Sequence, residues 1–369
     1  MSRPADAALT EFFEQAAREH TAATTAATTA AGEHARVLRF ADRRLRLRFA
    51  GTELADALLA ALRPRLEDDE GGAADATIDL WEERALGGAA LPLPWRDFDL
   101  GPRGMLRGPR EARVVAVHEG ASGAVTLVDR DERRLLYRVP DVAELPWWER
   151  AAPLRPALFW ALGGPGRHLV HAGAVGDERG GVLLAGRGGS GKTTVATAGL
   201  AAGMRYVGDD YLLLHAHPTP VAWNMFGTAK LDAGHLERFP RLTPAASVSP
   251  EPVPGEKAVL DVDRLMAGSL VDSLAIRAVV VPRIRGGRAR LARTSAGSAL
   301  LALAPSTAFQ MPFDDGEVVR SLATLARGLP AFSLDVGDDP DELARALRDV
   351  LDAVAERDAS ELSLGGVST

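Results

Sequence analysis

The sequence predicts an α/β fold in two parts, a phosphate-loop core preceded by a smaller α+β domain. Three observations point there. At 369 residues the chain is long for one hydrophobic core, since such cores stop growing near roughly 250–300 residues. Residues 181–194 read Gly-Val-Leu-Leu-Ala-Gly-Arg-Gly-Gly-Ser-Gly-Lys-Thr-Thr, a glycine-rich loop between an apolar strand and a helix. Before residue 150, short apolar runs alternate with polar residues at the period of strands. The expected organisation is 1–150, 151–358 and a loose tail at 359–369.

From the amino terminus, Ala7–His20 has helical spacing, with Leu9, Phe12, Phe13 and Ala16 on one side. Thr21–Gly32 is almost all Ala and Thr, with no large apolar residue to bury, and reads as a linker or weak helix. Val37–Phe49 alternates as strand, and Thr52–Leu62 reads as helix. Glu67–Ala74 is acidic, Gly-rich and turn-like. Arg113–Val117 and Ala124–Val128, joined by Glu119–Gly123, are strand candidates, with Arg134–Val139 a third. This domain ends around Pro146–Glu149 and contains no motif with chemistry of its own.

Pro153–Leu162 reads as a helix that Gly163-Gly164-Pro165-Gly166 stops. His171-Ala172-Gly173-Ala174-Val175 follows, then a hairpin-like turn at Gly176–Gly180 leads into the strand before the loop. The pattern G-x-x-x-x-G-K-[ST] falls on Gly186, Gly191, Lys192 and Thr193. Gly186, Gly188, Gly189 and Gly191 let backbone N–H groups turn inward around an anion, where a Cβ would obstruct. Lys192 supplies a mobile cation for the β/γ-phosphates, and the Thr193 hydroxyl can ligate Mg²⁺. Thr194–Ala202 reads as a helix whose positive end faces the phosphates. The nucleotide-binding set is therefore Gly186, Arg187, Gly188, Gly189, Ser190, Gly191, Lys192, Thr193 and Thr194.

Beyond that helix, an apolar strand at Met204–Val207 runs into Gly208-Asp209-Asp210, and Tyr211–Leu214 continues it. Asp209 arrives only 17 residues after Lys192. The later apolar strand Ala275–Val281 ends in Pro282-Arg283 and offers no carboxylate. Asp209 and Asp210 could form a plain polar turn. Their place within an apolar run favours a bound metal or an ion pair, because uncompensated charge there is costly. Lys230 and Lys257 are solvated lysines or reach a phosphate or acidic substrate. Arginines 283, 285, 288, 290 and 293 flank Gly286-Gly287 and read as an exposed hairpin or an anion patch. Ser306–Pro312 and Asp314–Glu317 begin a helical region, and Asp339–Ala355 carries a clear apolar stripe.

Composition excludes several classes. A net charge of −7 argues against a primary nucleic-acid binder, which shows a basic face. No cysteine is present, so disulfides and zinc–thiolate sites are excluded. Met1–Thr10 lacks the apolar core of a signal peptide, and no run of about 18 apolar residues occurs. The expectation is a cytoplasmic protein without a membrane partner.

The order His-Ala-x-x-Val, then Gly-Val-Leu-Leu-x-Gly-x-x-Gly-Ser-Gly-Lys-Thr-Thr, then x-Gly-x-x-x-Val-x-Asp-Asp resembles the catalytic domain of HPr kinase/phosphorylase. It is most similar to the HPr-kinase-like tailoring enzymes of ribosomally made peptides, lasso peptides included. That family shares its phosphate-loop architecture with the ATP-dependent phosphoenolpyruvate carboxykinases. The strong match covers about residues 168–215, and a weaker apolar pattern extends to about residue 355. The resemblance implies ATP and Mg²⁺ as cofactors, with Lys192 on the phosphates and Thr193 on the metal. It makes Asp209 the general base, Asp210 the metal-associated carboxylate and His171 an active-site residue. The glycine-arginine-asparagine signature of true HPr kinases has no counterpart here, which points away from HPr as acceptor.

Three function classes follow. The first is an ATP-dependent kinase for a Ser or Thr hydroxyl of a peptide or small protein, such as a natural-product precursor peptide. The second is a small-metabolite kinase, and the third a nucleotide-binding regulatory protein without transfer activity. The paired carboxylates disfavour the third, and a separate amino-terminal domain for substrate docking favours the first. The acceptor, a preference for ATP over GTP or pyrophosphate, and assembly into a homo-oligomer stay open.

Overall fold

A computed structural model describes residues 6–31, 34–69, 71–84, 92–96, 99–101, 104–107, 112–232, 237–242, 257–308 and 316–365. The expected loop Pro244–Pro254 and the last four residues of the tail lie outside them. The protein is a mixed α/β chain that divides into two compact units, the first Met1–Gly163 and the second beginning at Gly164.

The first unit runs α1 (Asp6–Ala31), β1 (His34–Phe40), β2 (Arg43–Ala50), α2 (Thr52–Leu62), β3 (Leu66–Glu67), β4 (Ala76–Glu82), β5 (Val114–Glu119), β6 (Ala124–Asp129), β7 (Arg134–Val139), α3 (Trp147–Ala151) and α4 (Arg155–Leu162). Its seven strands form one sheet in the order β3-β1-β2-β4-β7-β6-β5. Alternation sorts the faces. Phe12, Phe13, Ala16 and Ala17 of α1 pack on Trp81, Leu136, Leu127 and Val114, while the other face carries the buried Leu45, Leu47, Ile78, Leu80 and Tyr137.

The Ala/Thr stretch at 21–31, expected as a linker or weak helix, is helical: α1 continues through it to Ala31. The Thr21, Thr24 and Thr25 hydroxyls donate to carbonyls four residues back, and Ala23 is buried, so small residues let the helix approach the sheet. The central strand β4 has no counterpart in the sequence reading, although Ala76, Ile78 and Leu80 alternate with the polar Thr77 and Asp79. The division at Gly163 falls later than residue 150, since α4 packs on β6 and β7.

The second unit runs β8 (Arg167–Val170), β9 (Gly173–Asp177), β10 (Gly180–Leu184), α5 (Lys192–Ala201), β11 (Arg205–Gly208), β12 (Leu212–His215), β13 (Val221–Asn224), β14 (Thr228–Leu231), β15 (Ala258–Asp261), α6 (Val262–Leu265), β16 (Ser273–Ile284), β17 (Arg290–Thr294), α7 (Ala296–Ala308), α8 (Glu317–Gly328), β18 (Ala331–Val336) and α9 (Pro340–Gly365). Nine strands make its sheet, in the path β11-β9-β10-β16-β13-β12-β8 with β18 on β16 and β17 on β18. β10, β16 and β18 run parallel, and their nearly continuous apolar runs suit burial on both faces. Val182 and Leu184 join α5 and α9 in one core. Leu183, Val279 and Val281 join α7 and α8 in another. No helix among the described residues is long and apolar enough to cross a membrane.

The expected hairpin Asp177–Gly180 joins β9 to β10. The arginine-rich segment is not a hairpin: β17 pairs with β18, which lies between it and β16. Pairing with a later strand is invisible to a local turn signal. The helix expected from Ser306 already starts at Ala296 as α7, and residues 309–315 lie outside the described ones. Tyr211–Leu214 does not simply continue the preceding strand either, because β11 pairs with β9 whereas β12 pairs with β8 and β13. The chain changes neighbours at Asp209-Asp210-Tyr211.

Candidate active site

The glycine-rich loop hangs between β10 and α5. Ala185 donates to the Val280 carbonyl at 2.9 Å, which fixes the loop's entry against β16. Gly191, with φ 102°, precedes Lys192, the first residue of α5. A Cβ at Gly191 would come within 2.9 Å of Val336, whereas Gly188 and Gly189 face open space. The loop is therefore tight where it meets the fold and open at its crest. Lys192 is buried, and its Nζ donates to the Gly186 carbonyl at 2.7 Å and the Arg187 carbonyl at 3.4 Å. Burial pulls the Lys192 pKa below its usual value, against the pull of Asp210 and Asp209. Ser190 Oγ is buried without a partner.

The carboxylates lie where two strand pairs meet. β8 and β9 run antiparallel to β12 and β11, in register at Val170 with Leu212 and at Val175 with Tyr206. Between these pairings, His171-Ala172 on one chain segment passes Asp209-Asp210-Tyr211 on the other. Asn224 holds this crossing, its Nδ2 donating to the carbonyls of Val207 at 2.7 Å and Phe226 at 2.8 Å.

Asp209 and Asp210 differ sharply. Asp209 Oδ1 accepts from the Tyr206 hydroxyl at 3.0 Å, and the Thr193 hydroxyl also bonds its carboxylate. Its Oδ2 is buried with no partner. Burial, then the neighbouring Asp210 charge, raises the Asp209 pKa. Asp210 Oδ1 lies 2.9 Å from His171 Nε2, and its Oδ2 accepts from Lys230 Nζ. Burial opposes ionisation of Asp210 as well, but the Lys230 ammonium and His171 overcome it and hold the carboxyl far below the usual range. Lys230 feels the same competition: burial disfavours its charge, and Asp210 restores it, leaving its pKa raised. Tyr211 underlies both partners, with its ring 5.5 Å from the His171 ring and 5.5 Å from Lys230 Nζ. The His171 backbone N–H donates to Thr307 Oγ1 at 3.2 Å, while its Nδ1 is buried without a partner.

The fold thus brings the expected Lys192, Thr193, Asp209, Asp210 and His171 into one neighbourhood. Lys230, expected on a phosphate or acidic substrate or in solvent, is bound to Asp210. Lys257 lies at the surface, 3.9 Å from Asp232, and Arg283 sits within β16 opposite Asp335. Tyr206, Tyr211, Asn224 and Thr307 were not singled out as site residues from the sequence. Tyr206 alone carried a signal, as a polar aromatic three residues before a carboxylate on one strand.

No protein-family model matches this chain, and no curated protein matches it. Among solved structures, the Hpr(Ser) kinase/phosphatase from Coxiella burnetii is similar over 53% of this chain and 96% of that protein's. The identity is 13% and the TM-score 0.31, a level that carries no argument about chemistry.

Proposed function

We propose that this chain is an ATP- and Mg²⁺-dependent phosphotransferase acting on the hydroxyl of a peptide or small protein. The observation that carries the reading is the set of unsatisfied polar atoms around one carboxylate pair. Ser190 Oγ, Asp209 Oδ2 and His171 Nδ1 are all buried and unpartnered. Buried atoms without a partner occur elsewhere in the fold too, Tyr137 Oη and Thr126 Oγ1 among them, but here three such atoms flank the carboxylate pair and the loop. They adjoin a loop whose open glycines suit a polyphosphate.

Among the described residues, no group of three or more His, Cys, Asp or Glu is placed to hold a metal. Mg²⁺ commonly binds through one or two carboxylates plus substrate phosphates, and Thr193 with Asp210 would supply that pattern, in the order expected from sequence. Bound there, the ion would neutralise charge on the transferring phosphoryl group. Asp209, whose pKa burial raises and whose Oδ2 has no partner, would accept the hydroxyl proton late in transfer, while Lys230 and His171 hold Asp210 anionic. Lys192 would leave its carbonyls for the phosphates. The Thr193–Asp209 bond is the observation that favours the reverse order.

The test is transfer of γ-labelled phosphate from ATP into a size-fractionated extract of the native host, with variants as controls. Lys192→Ala abolishes labelling while the protein stays folded. Asp209→Asn lowers transfer by about 10²–10⁴-fold with nucleotide binding retained, the usual worth of a general base. Asp210→Asn instead weakens the Mg²⁺ dependence and is partly rescued by excess Mg²⁺. The opposite assignment of the two aspartates follows if those results interchange. Label in a small metabolite selects the metabolite kinase, and free phosphate alone removes the transferase reading.

A further inference from the structure

The second unit leaves a large apolar side chain in water beside the glycine-rich loop. β16 pairs with β10 as far as Val280 opposite Leu184, then continues on β18 to Ile284 opposite Val336. Pro282–Ile284 therefore flank the loop rather than a strand. Side chains alternate along a strand, so Ile284 shares the face of Val280, which lies in the core with α5. Val336 is buried there, but Ile284 is 63% exposed. Both abut the last glycine of the loop: a Cβ at Gly191 would meet Val336 at 2.9 Å and Ile284 at 3.4 Å. A lone exposed isoleucine needs no explanation; one against a phosphate-binding loop is placed to touch what the loop holds.

This ledge is fixed by long-range bonds. The Arg285 and Gly286 N–H groups donate to the Val336 carbonyl at 3.4 Å and 3.2 Å. Gly287 N–H donates to Asp338 Oδ2 at 2.8 Å, and Asp338 N–H returns to the Gly287 carbonyl at 2.9 Å. Arg238 Nη2 donates to the Gly337 and Asp338 carbonyls at 3.2 Å and 2.9 Å. A surface fixed in advance costs little ordering when a ligand settles on it.

Strand order gives the ledge its direction. β9 and β11 lie on one side of β10, and β16 and β18 on the other. His171 precedes β9, and Asp209-Asp210 follows β11, so the transferring end of a triphosphate on the loop points to the β9–β11 side. Its nucleoside end then leaves toward β16 and β18, where Ile284 lies. Proteins hold the flat faces of bases against aromatic or apolar side chains. Ile284 has no polar atom, so it adds affinity for a base without distinguishing adenine from guanine, and it adds none for a donor that lacks a base.

We propose that Ile284, backed by Val336, is the platform for the base of the phosphoryl donor, which makes that donor a nucleoside triphosphate rather than pyrophosphate. The proposal rests on the reading of the loop as a triphosphate site. The experiment is calorimetric titration of the full chain with Mg²⁺ and either ATP, GTP or tripolyphosphate, which has the phosphates and no base. The wild type should bind ATP and GTP with similar affinity, each about tenfold more tightly than tripolyphosphate, the worth of a good apolar contact. Ile284→Ser should remove that advantage and leave tripolyphosphate binding unchanged, while Ile284→Phe should restore it. Because the side chain is exposed, both variants should keep the wild-type thermal midpoint. Lys192→Ala should weaken all three ligands alike. Tripolyphosphate bound as tightly as ATP by the wild type, or an Ile284→Ser variant that keeps its preference for ATP, overturns the platform and leaves the loop reading intact. Equal weakening of all three ligands by Ile284→Ser would make the residue a buttress of the loop and also overturn the proposal. A wild type that binds none of them removes the loop reading, and the platform with it.

Discussion

Asp79 in the first unit and Asp209 in the second are both buried carboxylates, yet their surroundings have opposite logic. Asp79 is met by two guanidiniums and a histidine, His20 Nδ1 lying 3.8 Å away. Asp209 has a tyrosine, a threonine and a second carboxylate, and one of its oxygens is left without a partner. Saturated pairing in a dry interior rigidifies; incomplete pairing is what a reactive centre requires before its ligand arrives. Burial of charge therefore does not by itself mark an active site. What distinguishes the two is the number of partners left over.

The sharpest way to break this comparison is Asp79→Asn. Removing one member of a buried ion network strands the others, so Arg48 and Arg134 lose their counter-charge and the first unit loses about 3–5 kcal/mol. Chemical denaturation followed by tryptophan fluorescence checks it, since Trp81 lies in the same core. A loss below about 1 kcal/mol would show that the network is as dispensable as a surface ion pair. Tyr206→Phe, the matching change in the second unit, has a smaller expected effect. It removes one hydrogen bond to a carboxylate that is already incompletely paired, about 1–2 kcal/mol, and leaves nucleotide binding intact by equilibrium titration. Equal losses in the two variants would erase the distinction.

The same contrast explains what was legible in the sequence. The segment from β9 through α5 follows from local chemistry: a two-residue turn at Glu178-Arg179, an apolar strand, glycines and a helix. The Asp209-Asp210 pair stood out because two charges interrupt an apolar run. Asp79 interrupts one too, but its partners sit 31 and 55 residues away in sequence, and nothing local to β4 announces them. Lys230 was singled out, yet its ion pair with Asp210 joins β14, which pairs with β15 in a separate two-stranded sheet, to a carboxylate 20 residues earlier. The arginines after β16 gave a convincing turn at Gly286-Gly287 and the wrong strand partner, since β18 enters between them from 37 residues beyond β17. Local patterns determine elements; long-range pairing selects their neighbours, and both the Asp79 network and the Lys230–Asp210 pair are built from long-range pairings.

The smallest expected effect concerns a third carboxylate arrangement, intermediate between the other two. Glu119 of β5 shares Arg155 with Glu149, at 3.7 Å and 2.8 Å respectively. One cation for two carboxylates is insufficient: burial first, then the Glu149 charge, raises the Glu119 pKa well above the usual range. The sign follows directly. A carboxyl whose folded pKa exceeds its unfolded value contributes stability at low pH that disappears as pH rises through the folded pKa. The first unit should therefore lose stability as pH rises from the ordinary carboxylate range through the raised pKa of Glu119, on top of any other titration. Glu119→Gln keeps the neutral shape and removes the titration, so its thermal midpoint should rise relative to wild type across that interval, by a few degrees at most. Parallel profiles for the two proteins would mean that Arg155 serves both carboxylates fully. The charges of the pair would then be balanced as those around Asp79 are, in contrast to Asp209, whose nearest charged neighbour is a second carboxylate.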